Sequence, residues 1–516
     1  MLTERLVDMK KHTLINYITF LYISLPVLIF FFGWLHLGYA VLLGGLLIYG
    51  SFIYLRRIDK ETRASHSGIN WLHWSLIAGL AFLWVLFSGI GGFANQDWDH
   101  HFRNALFRDL INESWPVYYN FPAQYQDPEL ANKHSALNYY LTFWLPAALV
   151  GKVWGASVAN VVLLLWSYTG IMLMLYYLNR LFNFRYALLV SILFIGWSGL
   201  DVLGRLIMHP IAEFTTFQLE AYYSYSYAAF TSNLYNVFNQ AVPTWLLTVW
   251  VFNYSRRLNL LPIAFLFAYA PFPFIGLVLL YNLYYVLDTF WQTRRVQDCF
   301  STIWAELVKI ENIVAIGCLL LPYALFYGAH TSSVPSSLFW SRYLEGTRRM
   351  KFWVIVYYYV AFLLEVGVYL FCIVWLSRKT YQSNKLVFWL CAVLLLFIPF
   401  WAVGTGNDFA SRGSMPFLVI VCILTSKALI DRIEKRGNAY RLVIPAVVLL
   451  LAWVTPAVAI IDGIALRNPP VLKDVIGTFS RPNVTRAYNM HGTYPSLANY
   501  YSHQPRQYFF YKYLAR

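Results

Sequence analysis

Apolar residues run through this chain in blocks long enough to cross a bilayer, and polar residues are largely confined to the gaps between them. A spanning helix needs about 20 mostly apolar residues. Blocks of that kind lie at 14–34, 38–56, 71–93, 157–179, 184–204, 236–254, 311–328, 352–376, 386–404, 413–431 and 440–462. A tight pair at 259–272 and 273–290, joined around Pro271, completes the set. The long runs lack the amphipathic period of helices packed on a water-facing core. The pattern predicts an all-α polytopic membrane protein with about thirteen transmembrane helices.

Basic residues sort the gaps into two classes. If the start of the chain (Arg5, Lys10, Lys11) is cytoplasmic, the same side receives Arg56 to Lys60, Arg180 with Arg185, Arg256 with Arg257, Arg294 with Arg295, Arg378 to Lys385, and Lys427 to Arg436. Cytoplasmic loops carry such an excess of Lys and Arg. The segment 136–154 is apolar enough to span, but counting it would reverse every later loop. It therefore reads as a partly re-entrant helix in the outer interface. The outer gaps are then 94–156, 201–235, 329–350, 404–412 and the tail from 463. Residues 1–462 read as one transmembrane domain, 94–156 as its first long external loop with interfacial helices, and 463–516 as a short external tail. The basic start leads into an apolar run that would remain as a signal-anchor.

Composition agrees with this reading and narrows the partners. Of 516 residues 59% are hydrophobic and 12% charged, against about 25% charged in a soluble domain. Mean hydropathy is +0.52. A net charge of +15 would suggest nucleic acid in a soluble protein; here the cytoplasmic loops account for much of it, and no nucleic-acid partner is expected. The 40 Tyr, 39 Phe and 20 Trp exceed what interfacial belts need and suit contact with lipid or sugar. Five Cys with no CxxC spacing predict neither disulfides nor a metal knot. No ATP-binding motif is present, so chemical energy would have to arrive in a substrate.

Candidate chemistry gathers in the outer gaps. The densest polar stretch, Asn95 to Asn120, holds Asp97, Asp99, His100, His101, Arg103, Arg108, Asp109 and Glu113. Phe102, Leu106, Leu110 and Ile111 share one helical face, which predicts an interfacial helix lying flat on the bilayer. Arg103, Arg108 and Asp109 would then point to water or headgroups. His100 and His101 diverge by about 100° on a helix, so at most one faces the same site as Asp97. Asn233, Asn239 and Gln240, with Ser232 and Asn236, open a span, where amides pair within the protein or line a wet cavity. Arg348, with Arg342, Arg349 and Lys351, puts positive charge on the outer side, for anionic headgroups or a phosphate. In Gly404 to Pro416, glycines flank Asn407, Asp408 and Arg412. Arg412 either pairs with Asp408 at i,i+4 or holds a phosphate at the lipid boundary.

Four pieces, in order, carry a resemblance. They are Asp97-Trp98-Asp99-His100-His101; Trp115-Pro116; Thr231-Ser232-Asn233 with Asn239-Gln240 and Pro243-Thr244-Trp245-Leu246; and Asn407-Asp408-Phe409 with Arg412 and Pro416. Together they resemble a bacterial group of multispanning proteins within the GT-C class of membrane glycosyltransferases. In that class an acid just beyond a transmembrane helix opens the first external loop and acts as base on the acceptor, or positions it. The donor is usually a sugar on a polyprenyl phosphate.

The residues support that chemistry in their own right. A carboxylate within hydrogen-bond reach can take the proton from an acceptor hydroxyl, and Arg holds a departing phosphate through paired N–H donors. Asp97 is the first candidate for the base and Asp99 the second. Two carboxylates with His also make a donor set for Mg²⁺ or Mn²⁺; that option ranks below neutralisation by Arg, and the sequence leaves metal dependence open. The expected activity is transfer of a sugar from a polyprenyl-phosphate donor to a glycan, lipid or protein acceptor at the outer face of the cell membrane. A polysaccharide ligase or polymerase, and a lipid-linked sugar flippase or transporter, are the alternatives.

Overall fold

A computed structural model describes residues 2–61, 70–96, 98–121, 123, 133–208, 219–220, 227–255, 257–330, 336–338, 348–404, 407–435, 439–465 and 500–516. The described chain is predominantly α-helical. Seven helices are long and apolar enough to cross a membrane: His12–Trp34, Leu37–Lys60, Ala156–Arg180, Pro271–Thr293, Ile310–Tyr327, Phe352–Leu376 and Tyr440–Ile464. The chain is thus an all-α polytopic membrane protein in its main architecture.

The elements run in the following order. Helices α1 (Leu2–Trp34), α2 (Leu37–Glu61) and α3 (Trp71–Leu86) precede α4 (Trp98–Asn112). Strands β1 (Tyr118–Asn120) and β2 (His134–Leu137) lead to α5 (Leu145–Trp154) and α6 (Ala156–Arg180). Then come α7 (Ala187–Ile195), α8 (Asp201–Met208), α9 (Phe230–Asn253), α10 (Leu260–Tyr269), α11 (Pro271–Thr293) and α12 (Val296–Leu307). Next are α13 (Ile310–Tyr327), strand β3 (Ser336–Leu338) and α14 (Phe352–Leu376). The short α15 (Arg378–Ser383), α16 (Lys385–Phe397), strand β4 (Trp401–Val403), α17 (Asp408–Gly413), α18 (Met415–Glu434), α19 (Tyr440–Ile464) and strand β5 (Tyr501–His503) complete it.

Helix α9 is the hub. Nearly every side chain from Phe230 to Val251 is buried, which few helices outside a core can show. Its Trp245 lies against Trp84, Phe194 and Phe230, with ring centroids 5.9, 5.3 and 5.4 Å away. Trp250 meets Phe20 and Tyr177 at 5.2 and 4.7 Å. Edge-to-face and offset pairs of this kind each add about 0.5–1.5 kcal/mol beyond area burial. Part of the chain's aromatic excess is therefore core. The helix kinks at Val237, whose φ and ψ are −136° and 39°.

Two sequence expectations are corrected by the packing. Helix α4 does form, but its apolar face is not laid on lipid: Phe102, Leu106, Leu110 and Ile111 are buried in the protein core. Nor do its polar residues all point to water. Arg103 and Asp109 are buried, and Asp109 accepts a hydrogen bond from the Tyr119 hydroxyl at 2.8 Å, which ties α4 to β1. The segment 136–154 forms no single helix. It divides into β2, a short 3₁₀ turn at Thr142–Trp144 and the ten-residue α5, too short to cross a bilayer.

The sequence pattern also gave no sign of the small antiparallel sheet. Strand β2 pairs with β1 on one side and with β5, near the chain's end, on the other. Ala515 forms a bridge with Leu35 beside the end of α1, and Arg516 donates to the Trp115 carbonyl at 2.9 Å. The last seventeen residues are thus integral to one end of the bundle. At the other end lie Arg57 against Glu311, Arg185 against Glu434 at 3.4 Å, and Arg180 against the Tyr254 hydroxyl at 2.6 Å.

Candidate functional site

Asp99 and Arg103 lie one turn apart on α4, so their side chains meet. Arg103 Nη2 donates to Asp99 Oδ2 at 3.0 Å. Asp99 is 45% exposed in its side chain and Arg103 only 7%. The second terminal nitrogen of Arg103, Nη1, is buried and has no hydrogen-bond partner among the described residues. A buried guanidinium with an unused donor is held ready for an acceptor, since leaving it unmet costs about 1–3 kcal/mol or more.

Asp408 and Arg412 repeat the same spacing on α17. Arg412 Nη2 donates to Asp408 Oδ1 at 3.1 Å, and the Arg412 side chain is 21% exposed. Asn407 starts this helix. It adopts a left-handed backbone, its Oδ1 accepts from the Ala410 N–H at 3.4 Å, and its Nδ2 donates to the Pro399 carbonyl at 3.2 Å. Asn407 therefore caps and orients the helix that presents Arg412. Gly276 of α11 backs it from behind: a Cβ there would stand 2.0 Å from the Gly413 carbonyl oxygen.

The two pairs converge on three tyrosines. Tyr139 and Tyr140, in the link after β2, have ring centroids 4.6 Å apart. Tyr500, just before β5, lies 4.4 Å from Tyr139 and 6.2 Å from Phe102 of α4. Burial pushes the Tyr139 hydroxyl up from its ordinary value; Arg412 and Arg103 pull it down, and Asp99 and Asp408 push it up. Tyr500 is pushed well up by burial, and Tyr139, Arg103, Asp99 and Arg412 all act on it. Burial also works against the charge of Arg412, but Asp408, Tyr139, Asp99 and Tyr140 outweigh it and raise its pKa above the ordinary value. Both ion pairs and all three rings thus share one electrostatic neighbourhood, built from α4, the 138–141 link, α17 and the C-terminal segment.

Other residues expected at the site lie elsewhere. His100 is buried, with Nε2 against the turn at Gly89. Asp97 lies outside the described residues, as do the side chains of His101 and Arg348. Arg108 lines a small cleft with Gly91, Gly92, Asn104 and Asn160. Asn233, Asn239 and Gln240 belong to the buried α9. Asn233 donates to the Ala228 carbonyl at 3.0 Å. Asn239 and Gln240 are each 1% exposed, and their side-chain nitrogens and oxygens have no hydrogen-bond partner among the described residues. Of that set the structure describes two side chains: Asp99 pairs with Arg103, and His100 turns to Gly89.

The tyrosines are what the sequence reading missed. Their one signal was the Tyr pair in LNYY and a Tyr-rich tail, and neither indicates that residues 139 and 500 meet. No family model, curated protein or solved structure matches the chain.

Proposed function

We propose that this protein is a membrane glycosyltransferase of GT-C type, with about thirteen crossings, that moves a sugar from a polyprenyl-phosphate donor to a glycan, lipid or protein acceptor at the outer face. One observation carries the proposal: Tyr500 lies between Tyr139, at 4.4 Å, and Phe102 of the helix that bears Asp99 and Arg103, at 6.2 Å, and both that pair and the distant Asp408–Arg412 pair act on the Tyr139 hydroxyl. Transfer from a lipid phosphate needs a carboxylate near the acceptor hydroxyl and cations at the phosphate. Here Arg412 and the spare Nη1 of Arg103 are the cations, Asp99 and its sequence neighbour Asp97 the carboxylates, and Tyr139, Tyr140 and Tyr500 a wall for a sugar ring. The carboxylate takes the acceptor proton, becoming a carboxylic acid, as the acceptor oxygen bonds the sugar carbon; the bond from that carbon to the phosphate oxygen breaks, and the phosphate leaves with its electron pair toward the guanidinium groups.

The test is turnover of polyprenyl-phosphate sugars by purified protein beside Asp97→Asn, Asp99→Asn and Arg412→Ala. Consumption of a donor by wild type, lost in Arg412→Ala and in at least one carboxylate variant, supports transfer. Full activity in all three variants rejects this site.

A second reading, transport of a lipid-linked sugar, draws support from one feature. The helix at 184–208 is broken between α7 and α8, and acids sit deep inside the bundle at that break. Broken helices near the midplane mark transporter sites. Lipid scrambling in liposomes without donor turnover would favour it.

A further inference from the structure

Helix α12 (Val296–Leu307) is strung between two helices that are long and apolar enough to cross a membrane. Helix α11 ends at Thr293 and α13 begins at Ile310, so only residues 294–295 and 308–309 join α12 to them. Two extended residues reach about 7 Å at most, and α12 therefore stays at the membrane end of those helices. Its 12 residues rise about 18 Å, too little to cross a hydrocarbon layer of about 30 Å. Helix α11, with 23 residues, rises about 34 Å, so its last turns reach the headgroup zone. The chain turns back there: Arg294 adopts a left-handed backbone with φ 61°, and Cys299 Sγ donates to the Val286 carbonyl of α11 at 3.8 Å. Helix α12 thus lies beside the last turns of α11.

Two different edges of α12 face outward. Val296, Phe300 and Trp304 recur every four residues and share one edge, where they are 73%, 67% and 56% exposed. The rings of Phe300 and Trp304 stack, with centroids 6.3 Å apart. Gln297, Asp298, Ser301 and Thr302 form the other exposed edge. Cys299 is buried and Ile303 half-buried. Lys309 pairs with Glu306 at the end of the helix.

The apolar edge continues a surface that the neighbouring helices already present. Leu287 and Phe290 of α11 and Ile313 and Ile316 of α13 are exposed apolar side chains on candidate spans. At the join, the Arg294 guanidinium stands 5.3 Å from the centroid of the Trp291 ring. Trp concentrates at membrane–water interfaces, and Arg there reaches its charge toward the headgroups.

We propose that α12 is an interfacial helix lying in the plane of the bilayer, with Val296, Phe300 and Trp304 among the outer acyl-chain segments and Gln297, Asp298, Ser301 and Thr302 among the headgroups. One apolar edge beside one polar edge is the pattern such helices need. A second copy of the chain fits less well. Three side chains fall far short of the roughly 20–30 residues a side of a stable protein interface, and lipid covers α11, α12 and α13 as one surface. The placement holds whether or not the protein transfers sugars.

Nitroxide labels on Val296→Cys, Phe300→Cys and Trp304→Cys, compared with Ser301→Cys and Thr302→Cys, test this in nanodiscs of phosphatidylcholine and phosphatidylglycerol. The five native cysteines are buried, and wild type carried through the labelling is the blank. Collisions with oxygen should dominate over those with a water-soluble nickel chelate at 296, 300 and 304, and the order should reverse at 301 and 302. The three apolar positions should also share one depth. Nickel collisions as frequent at 300 and 304 as at 301 and 302 overturn the insertion. A steady change of depth from 296 to 304 overturns the in-plane orientation. Exclusion of both agents, with dipolar broadening between labels, gives the edge to a second copy and overturns the lipid contact. Unlabelled wild type gives an independent reading: Phe300 and Trp304 should escape hydroxyl-radical oxidation in the same nanodiscs, and rapid oxidation of both overturns the proposal.

Discussion

The ring of Tyr500 lies 4.4 Å from the ring of Tyr139, and through that contact the end of the chain becomes a wall of the candidate site. Strand β5 holds Tyr500 there by pairing Tyr501 with Leu137 of β2. If the wall binds a sugar ring, Tyr500→Ala should raise KM for the donor roughly tenfold and change kcat little. That corresponds to about 1.4 kcal/mol, the upper range for one aromatic contact. Tyr500→Phe keeps the ring and should stay near wild type. Steady-state kinetics on the three proteins checks this, and equal KM values remove Tyr500 from the site.

Arg412 should prove irreplaceable by Lys. Its pKa is raised above the ordinary guanidinium value, so its charge is constant over any working pH, and what matters is its forked geometry. One nitrogen is engaged by Asp408 at 3.1 Å, while the guanidinium retains further donors for a phosphate. A lysine ammonium cannot serve both in this planar arrangement. Arg412→Lys and Arg412→Ala should each lower kcat/KM by about 100-fold, near 2.7 kcal/mol, as for loss of a charge-assisted bond made to a leaving group. Added guanidinium should restore part of the activity of Arg412→Ala and none of that of Arg412→Lys.

The architecture was legible wherever long apolar runs determine structure: each of the seven long apolar helices falls on a block read from hydropathy. The i,i+4 pairing of Asp408 with Arg412 was also legible, because helical spacing fixes it. Hydropathy does not separate lipid from protein as an apolar neighbour, so the buried face of α4 was assigned to the bilayer. It does not report a break such as Gly196–Leu200 within an apolar run, and so Asp201 looked like the end of a span. The meeting of Tyr139 with Tyr500 depends on pairing between β2 and β5, which leaves little mark in three-residue strands.

Gly276 should be intolerant of a side chain for a reason that is read in the site. A methyl group there would stand 2.0 Å from the Gly413 carbonyl oxygen, so Gly276→Ala must push α17 away from α11. Overpacking of this kind costs about 1–3 kcal/mol, and the displaced element carries Arg412. The variant should lower both the thermal midpoint and kcat/KM. Gly38, where a Cβ meets nothing within 4 Å, is the control, and Gly38→Ala should leave both unchanged. Thermal scans and donor turnover on the same preparations check this; an unaffected Gly276→Ala would separate the α11 contact from the placement of Arg412.

Glu220 should make stability fall as pH rises. Burial, and then the field of Asp201, push its carboxyl up from about 4.5 to about 8, despite a hydrogen bond from the Ala229 N–H. Below about pH 4.5 the folded and unfolded chains both hold the proton, and the folded state has its full stability with respect to this group. Between about 4.5 and 8 the unfolded chain releases its proton first, because its carboxyl has the ordinary value. The folded state then binds more protons, and stability declines with pH across that window. Above about 8 both are ionised and the decline from this group ends. Glu220→Gln cannot titrate but keeps an oxygen for the 2.8 Å bond from Ala229, so its thermal midpoint should vary less with pH over the same range and exceed that of the wild type at the alkaline end. Parallel thermal scans from acid to mild alkali check the difference, and two superimposable profiles would remove Glu220 from the groups that set this dependence.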